Sequence, residues 1–586
     1  MNGIGFAALA LALVASPLSA QGFGSVPNEA EPVIVAEDET DGESKEIAGK
    51  AISAEEADKS VISAKNGAKV NVSNATLSKT GNTSNDGQSN FYGLNSAVVS
   101  SSKSTVSLSG VTITTDADGA NAVFATGNGS KINAKNVRIS TKQNSSRGLD
   151  ATYGGEVNAS DVFIDTKGAH CAAFATDRGE GTISVNGATA TTAGEGSPVI
   201  YSTGNISVKN LTGRATGSEI ACIEGKNSIS IDTSNIEGAG PNGIMLYQSF
   251  SGDAGVGTSV LNVKNSTLKS SSNGAFFYIT NTRAKINLSQ STLSFPSGVL
   301  IRSSGNNSER GWGVRGANGG NLDFKAEKQS LTGDIICDEI STINLDFADG
   351  VVFTGAINAD NGGAVTLTLS KNAQVRLTAD SYIESISDAD KKFKNIISNG
   401  YNLYYNKNAA ANKALKGKSY KLSGGGKLIG IAIERKAVQV VSQQTQGDFH
   451  CENMGGNPPP MPKEMSKVTG VIKLYGSAPM TTIGFVTDDG KEYKLSVLPP
   501  PPQGEMKGQG DKKGQESQEM KAPGEPPKME GHFDMSFGDK KQKPLSEDEL
   551  KQLTGLHVEL TGFVSDKTEA NALKDGVFVV FEAIEK

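Results

Sequence analysis

The chain is poor in the residues on which catalytic centres and wide globular cores usually depend. Its 586 residues include 4 His, 4 Cys and a single Trp, Trp312, and aromatics make up 6% of the sequence. With so few large rings, a core must be assembled from thin layers of Val, Ile, Leu and Ala, which suits a narrow structure better than a broad globule. A basic excess is also missing. The formal charge is −7, and residues 21–60 alone hold eleven acids against three lysines, so everything outside them sums to about +1. A nucleic-acid binder would carry a basic field, so no nucleic-acid partner is expected. Beyond residue 20 no apolar run reaches the roughly 20 residues that a membrane-crossing helix needs, so no transmembrane segment is expected in the mature chain.

Residues Gly3 to Ala20 are apolar and end in small residues before Gln21. This pattern reads as a secretory signal peptide over 1–20, although the usual Lys or Arg after Met1 is missing. The expected location is therefore secreted, extracellular or at the cell surface, with the periplasm as the remaining compartment. The acidic stretch 21–60 reads as a solvated, disordered linker.

What is present is a repeat. The phrases Val70-Asn71-Val72-Ser73-Asn74, Val106-Ser107-Leu108-Ser109-Gly110 and Ile132-Asn133-Ala134-Lys135-Asn136 share one alternating pattern. Their anchors Val70, Val106, Ile132, Val157, Ile183, Ile206, Ile229, Leu261 and Ile286 are spaced by 36, 26, 25, 26, 23, 23, 32 and 25 residues. A unit this short cannot bury its own apolar face, so successive units must stack and share one core. Period-2 alternation makes the units strands. A polar residue or glycine stands four places after each anchor: Asn74, Gly110, Asn136, Asp161, Gly187, Asn210, Thr233, Asn265 and Gln290. Together these features predict an all-β chain whose main body, 61–433, is a right-handed parallel β-helix, with less regular turns at Leu322, Ile343 and Val365. Two stretches interrupt the period, Thr80 to Asn95 and Ser303 to Gly320, and such insertions form loops on one face, where binding often occurs.

Cys171 and Cys222 fall on turns with one turn between them, which places them roughly 10 Å apart, too far for a disulfide. Cys171, Cys222 and Cys337 are expected as small buried hydrophobes, and Cys451 as a lone thiol in a loop.

A second composition follows a Pro-rich linker over 434–466. Residues 467–586 contain a strand pattern at Lys467 to Leu474, a hairpin signal at Asp488-Asp489-Gly490, a long Pro/Met-rich insert over 499–545, a helix start with capping-box spacing at Ser546 and Glu549, and strands at His557 to Val564 and Val577 to Phe581. Three strands, a helix and two strands is the order of OB-fold barrels, and this segment resembles one. Eight of the ten Met lie between Met454 and Met535. With His532 they could in principle hold Cu(I), but a disordered insert without metal is the simpler reading.

Aligning turns on their second strand gives the triples Val123-Phe124-Ala125, Leu149-Asp150-Ala151, Ala173-Phe174-Ala175, Ile200-Tyr201-Ser202, Ile223-Glu224-Gly225, Leu246-Tyr247-Gln248 and Phe277-Tyr278-Ile279. The first column is apolar and faces the core, so the second points outward. That column is Phe124, Asp150, Phe174, Tyr201, Glu224, Tyr247 and Tyr278. An outward strip of rings and carboxylates is suited to an extended sugar chain, since ring faces stack on pyranose faces while polar groups meet hydroxyls. The other reading is that the rings are internal stacks or pack beneath an insertion. Two acids argue against full burial, because unpaired carboxylates are costly in a core.

Pectin-degrading β-helix enzymes work with clustered Asp, a Gly-His-Gly element or calcium-binding Asp groups, and no His here lies in a Gly-His-Gly setting. Asp116-Ala117-Asp118-Gly119 resembles part of a calcium loop but lacks the later Glu, so Asp116 and Asp118 are weak candidates for a structural calcium and no other cofactor is expected. By repeat form and leader, the chain resembles secreted bacterial β-helix proteins that include adhesins, autotransporter-like passengers and non-catalytic polysaccharide-binding solenoids. The resemblance implies a non-catalytic protein that binds extracellular polysaccharide or a host or cell-surface glycan, or mediates adhesion. The alternative is a polysaccharide lyase or glycoside hydrolase of the pectin-lyase-like superfamily.

Overall fold

The computed structural model describes residues 30–249, 251–306, 312–314, 316–435, 466–475, 482–497, 550, 553–564 and 577–585. They fall into two compact units. The first is a parallel β-solenoid of about 16 turns.

A regular turn contributes one strand to a twelve-stranded sheet and two strands to a longer second sheet. Val123–Thr126, Lys131–Lys135 and Arg138–Thr141 make up one such turn. The nine anchors stack in unbroken register from Val70 to Ile286. All nine are buried. Leu322, Ile343 and Val365 stack in register with one another, but in the column of Ala284; Ile286 is followed by Phe324. The nine residues four places after the anchors all adopt left-handed backbone, with φ from 48° to 83°. A single left-handed residue bends the chain between the two strands of the second sheet without breaking the alternation of faces, and Asn, Asp and Gly tolerate that conformation best.

The solenoid begins earlier than the sequence suggests. Val35–Asp41, Ser44–Ala48 and Ala51–Ala54 are strands, and they pair in parallel with Lys59–Lys65, Lys69–Ser73 and Thr76–Thr80. The reading of 21–60 as a disordered linker is corrected for these residues. Ile47 and Ala54 are fully buried, while Glu37 and Glu39 occupy outer positions and bond to the next turn, with Lys59 at 2.8 Å and with Lys65 at 2.6 Å. Among the described residues this turn ends the stack, and charge on an edge strand discourages pairing with a further chain. The other end closes on Leu403–Asn406 and Lys427–Ile431, with an antiparallel partner at Tyr420–Lys421.

Cys171, Cys222 and Cys337 are buried and form no disulfide among the described residues. No helix among the described residues is long and apolar enough to cross a membrane.

The second unit is a small closed barrel of Ser466–Tyr475, Thr482–Thr487, Glu492–Val497, His557–Val564 and Val577–Glu585. The first three strands form an antiparallel meander, the third and fifth are parallel, and the fourth closes against the first. Its core is built from Ile472, Phe485, Leu495, Val558, Leu560 and Phe578. The hairpin expected at Asp488-Asp489-Gly490 is present, with Gly490 at φ 84°. Residues 1–29, where a signal peptide is expected, Cys451, the Pro/Met-rich stretch 499–545 and the capping-box residues Ser546 and Glu549 lie outside the described residues.

Candidate functional site

The outward strip predicted from the triples is real as a direction and wrong as an exposed surface. In the twelve-stranded sheet, Phe124, Asp150, Ala175, Tyr201, Cys222, Met245 and Tyr278 stand in one column. Their chain neighbours, such as Val123, Leu149, Ile200 and Phe277, belong to the continuous inner core, so the column does face away from it. Phe174 is corrected to that inner core, because it pairs with Leu149 and Ile200. Glu224 and Tyr247 face outward but stand two places along, with Thr280 as their next neighbour. A slip of two residues keeps the facing and a slip of one reverses it, which accounts for both outcomes.

Every member of the proposed strip is buried: Phe124, Asp150, Phe174 and Tyr247 at 0%, Tyr201 and Glu224 at 1%, Tyr278 at 3%. The covers are three insertions docked on this face. The first carries helix α1 (Asp86–Tyr92), which starts at Asn85, whose side chain accepts from the Gln88 amide, and stops at left-handed Gly93. A Cβ on Gly93 would lie 2.5 Å from the Phe124 ring, so only glycine permits this approach. The Phe91 carbonyl accepts from Thr152 Oγ1 at 2.8 Å and Asn90 Oδ1 accepts from Arg147 at 2.7 Å. A second insertion, in the long gap between Ile229 and Leu261, brings Ser249 and Ser251 to Glu224 and Asp253 to Arg178. The third lays Trp312 flat on Tyr247, with ring centroids 4.7 Å apart. Asn318 Nδ2 fixes that segment by donating to the Trp312 carbonyl at 2.7 Å.

Sealed beneath these covers is a charged network that the sequence reading did not assemble. Arg147 reaches Asp177 at 3.1 Å and Asp150 at 3.5 Å, and all three side chains are at most 2% exposed. Arg178 donates from Nε and Nη2 to Asp253 at 3.0 and 2.7 Å, and its guanidinium lies 3.7 Å from the centre of the Phe91 ring. It thereby joins the first insertion to the second. Three carboxylates (Asp150, Asp177 and Asp253) share two guanidinium groups, while Glu224 is held by hydroxyls of Tyr201, Ser249 and Ser251, and burial pushes all four pKa values upward. Asp150 is raised to about 7, with burial outweighing Arg147. Tyr201 donates to Glu224 at 3.0 Å, and burial raises the phenols of Tyr201 and Tyr247 as well. The only hint in the sequence was chemical: Arg147, Asp150, Asp177 and Arg178 lie on or beside the ends of two successive strands, Leu149–Thr152 and Phe174–Thr176.

The calcium candidates are not brought together as a cation site. Asp116 is engaged by Lys142 and Gln143, each at 2.8 Å, and the Lys142 hydrogen bond holds its carboxyl below the usual range. Asp118 accepts from the Asn144 amide at 3.0 Å. Among the described residues no group of three acids, His or Cys is placed to hold a metal.

The accessible feature lies on the second sheet. Its outer face is a grid of hydrophilic side chains, one column of which runs Asn133, Asn158, Ser184, Ser207, Ser230, Asn262, Asn287 and Lys325. Amides and hydroxyls link neighbouring turns, as in Asn287 Nδ2 donating to Asn262 at 2.8 Å and Asn262 donating to Ser230 at 3.2 Å. Across this face runs an open groove of about 670 Å³, bordered by Ser207, Lys209, Asp232, Asn262, Asn287 and Lys325. It spans six successive strands, or about 24 Å at the usual strand spacing. The sequence reading passed over these residues because singly they are ordinary solvent-facing polar positions. Their signal was the repetition of Ser or Asn one place after each anchor. Compared with known proteins, the chain matches no family model, and no curated protein or solved structure is similar enough to count as a match.

Proposed function

We propose that the solenoid is a non-catalytic binding protein of the cell exterior, secreted or held at a cell surface, whose ligand is an extracellular polysaccharide and whose biological outcome is adhesion to it. The observation that carries this reading is the groove on the second sheet. It is open and elongated, and its side chains offer hydroxyl and amide groups at a regular interval. Ser and Asn both donate and accept, which is what a chain of sugar hydroxyls requires. Many weak contacts along a repeating polymer add up through multivalency, so no deep pocket is needed. The small C-terminal barrel, OB-like in its strand order, is assigned no separate ligand, since fold alone does not decide one.

The test is a glycan-array screen of the whole chain, followed by Asn262→Ala and Asn287→Ala. Both side chains are half-exposed, so stability should hold while affinity for the array hits falls. Retained affinity in the double variant would remove the groove from the site.

A second reading, a lyase or hydrolase, is favoured by one observation: Asp150, with a pKa raised to about 7 beside Arg147, has the proton affinity of a general acid. Against it, the carboxyl is fully buried beneath α1. Product release from acidic or neutral polysaccharides, abolished by Asp150→Asn, would establish the enzymatic reading in place of ours.

A further inference from the structure

The same groove carries cations as well as hydroxyl-binding groups, and an inference about the charge of its ligand rests on the carbohydrate-binding reading of the solenoid. Register places Lys209, Asp232, Lys264, Ser289 and Glu327 in a second column beside the Ser and Asn column. Lys264 stands two strands beyond Lys209, and Lys325 two strands beyond Lys264 in the adjacent column. At the usual strand spacing, cations therefore recur about every 10 Å along the solenoid axis.

The acids among them are already engaged. Asp232 accepts from Thr233 Oγ1 at 2.9 Å and from Asn265 Nδ2 at 3.2 Å, and Glu327 lies 3.4 Å from Lys328. The lysines are held loosely. Lys264 lies 3.4 Å from Asp232 and Lys325 3.7 Å from Asp346, with 60% and 54% of the lysine side chains exposed. Ion pairs of this kind contribute little to stability, so the ammonium groups can turn to an incoming anion at small cost.

We propose that the groove binds a linear polyanionic polysaccharide, one bearing carboxylates or sulfates at regular intervals, laid along the solenoid axis with Lys209, Lys264 and Lys325 meeting acid groups about 10 Å apart, which is every second group in a polymer charged on each sugar. The Ser and Asn column contacts the hydroxyls between them. An ammonium is a compact point charge that tolerates varied anion geometry, which suits a sliding, repetitive ligand better than a bidentate guanidinium would. The polymer lies across the strands because the cations recur in that direction.

The experiment compares polygalacturonate with a neutral galactan, using the full chain, by affinity electrophoresis and calorimetry at low and high salt. The variants are Lys209→Gln/Lys264→Gln/Lys325→Gln and, as a control, Lys371→Gln/Lys392→Gln, which alters exposed lysines elsewhere on the solenoid. We expect wild type to prefer polygalacturonate at low salt and to lose the preference at high salt. The triple variant should bind polygalacturonate about tenfold more weakly, as three exposed charge contacts imply, and the control variant should match wild type. If wild type binds both polymers equally and the triple variant is unchanged, the polyanion inference is overturned while the carbohydrate reading stands. If it binds no polysaccharide of either charge, the carbohydrate reading itself falls. Equal binding of a single-stranded DNA homopolymer would overturn the assignment to sugar acids, since charge alone would then explain the affinity.

Discussion

Replacing Tyr247 by Ala separates a sealed aromatic cluster from a sugar-stacking platform. The ring is fully buried, stacks on Trp312 at 4.7 Å, and shares its cluster with Tyr201, Met245 and Tyr278. Truncating a buried aromatic of this size leaves a cavity and costs about 3–5 kcal/mol. Loss of the ring pair falls within that range, because stacking adds about 0.5–1.5 kcal/mol beyond area burial. Each turn of a solenoid touches only its neighbours, so the damage should be local. The assay is urea denaturation combined with hydrogen exchange. The midpoint should fall, and protection should drop in Ala221–Glu224, Ile244–Tyr247 and Phe277–Thr280 while strands far along the stack keep theirs. An unchanged midpoint together with weakened polysaccharide binding would refute the sealed cluster and restore the exposed strip.

Three further outcomes are expected. The native pKa of Asp150, about 7, lies above its ordinary value of 3.8, so the stability it contributes is present below pH 4 and lost as pH rises to 7. Asp150→Asn should flatten that slope in thermal melts, the difference between the two profiles growing to the order of a few kcal/mol by neutral pH; buried His170, lowered to about 4, acts oppositely but equally in both proteins. Ile200→Asp places a charge in a fully buried core column and should cost several kcal/mol, so an unaltered thermal midpoint would show that the inner facing is misassigned. Burial pushes the Cys171 and Cys337 thiols up to about 12, so both should resist alkylation in the native protein and react fully, without reductant, once it is unfolded; a shortfall by mass spectrometry would reveal a crosslink.

The repeat was legible because a short unit must state its core pattern in every copy. Val70 through Ile286 and the bend residues from Asn74 to Gln290 are local signals repeated nine times, and each anchor stacks as the spacing implied. Facing along the twelve-stranded sheet followed from alternation for every residue of the strip except Phe174. Register did not follow, since Ile223 and Leu246 serve as inward positions as well as Ala221 and Ile244 do. The first turn was hidden because its outer positions are acids, and charged edge strands and linkers look alike in composition. Two of the three covering insertions were located, the one between Ile229 and Leu261 was not, and none was docked. What docks them are contacts between residues far apart in sequence, such as Asn90 with Arg147 and Arg178 with Asp253, which no local pattern encodes.

The most direct test of groove binding is a hydrogen-exchange footprint of the full chain with and without a bound polysaccharide. Added protection is expected only in Thr182–Thr192, Asn205–Ala215, Ser228–Asp232, Thr258–Lys264, Thr282–Ser289 and Gly320–Glu327, the strands that border the open groove. Protection appearing instead over α1 and the strands from Val123–Thr126 to Phe277–Thr280 would place the ligand on the covered face and contradict the groove as the binding site.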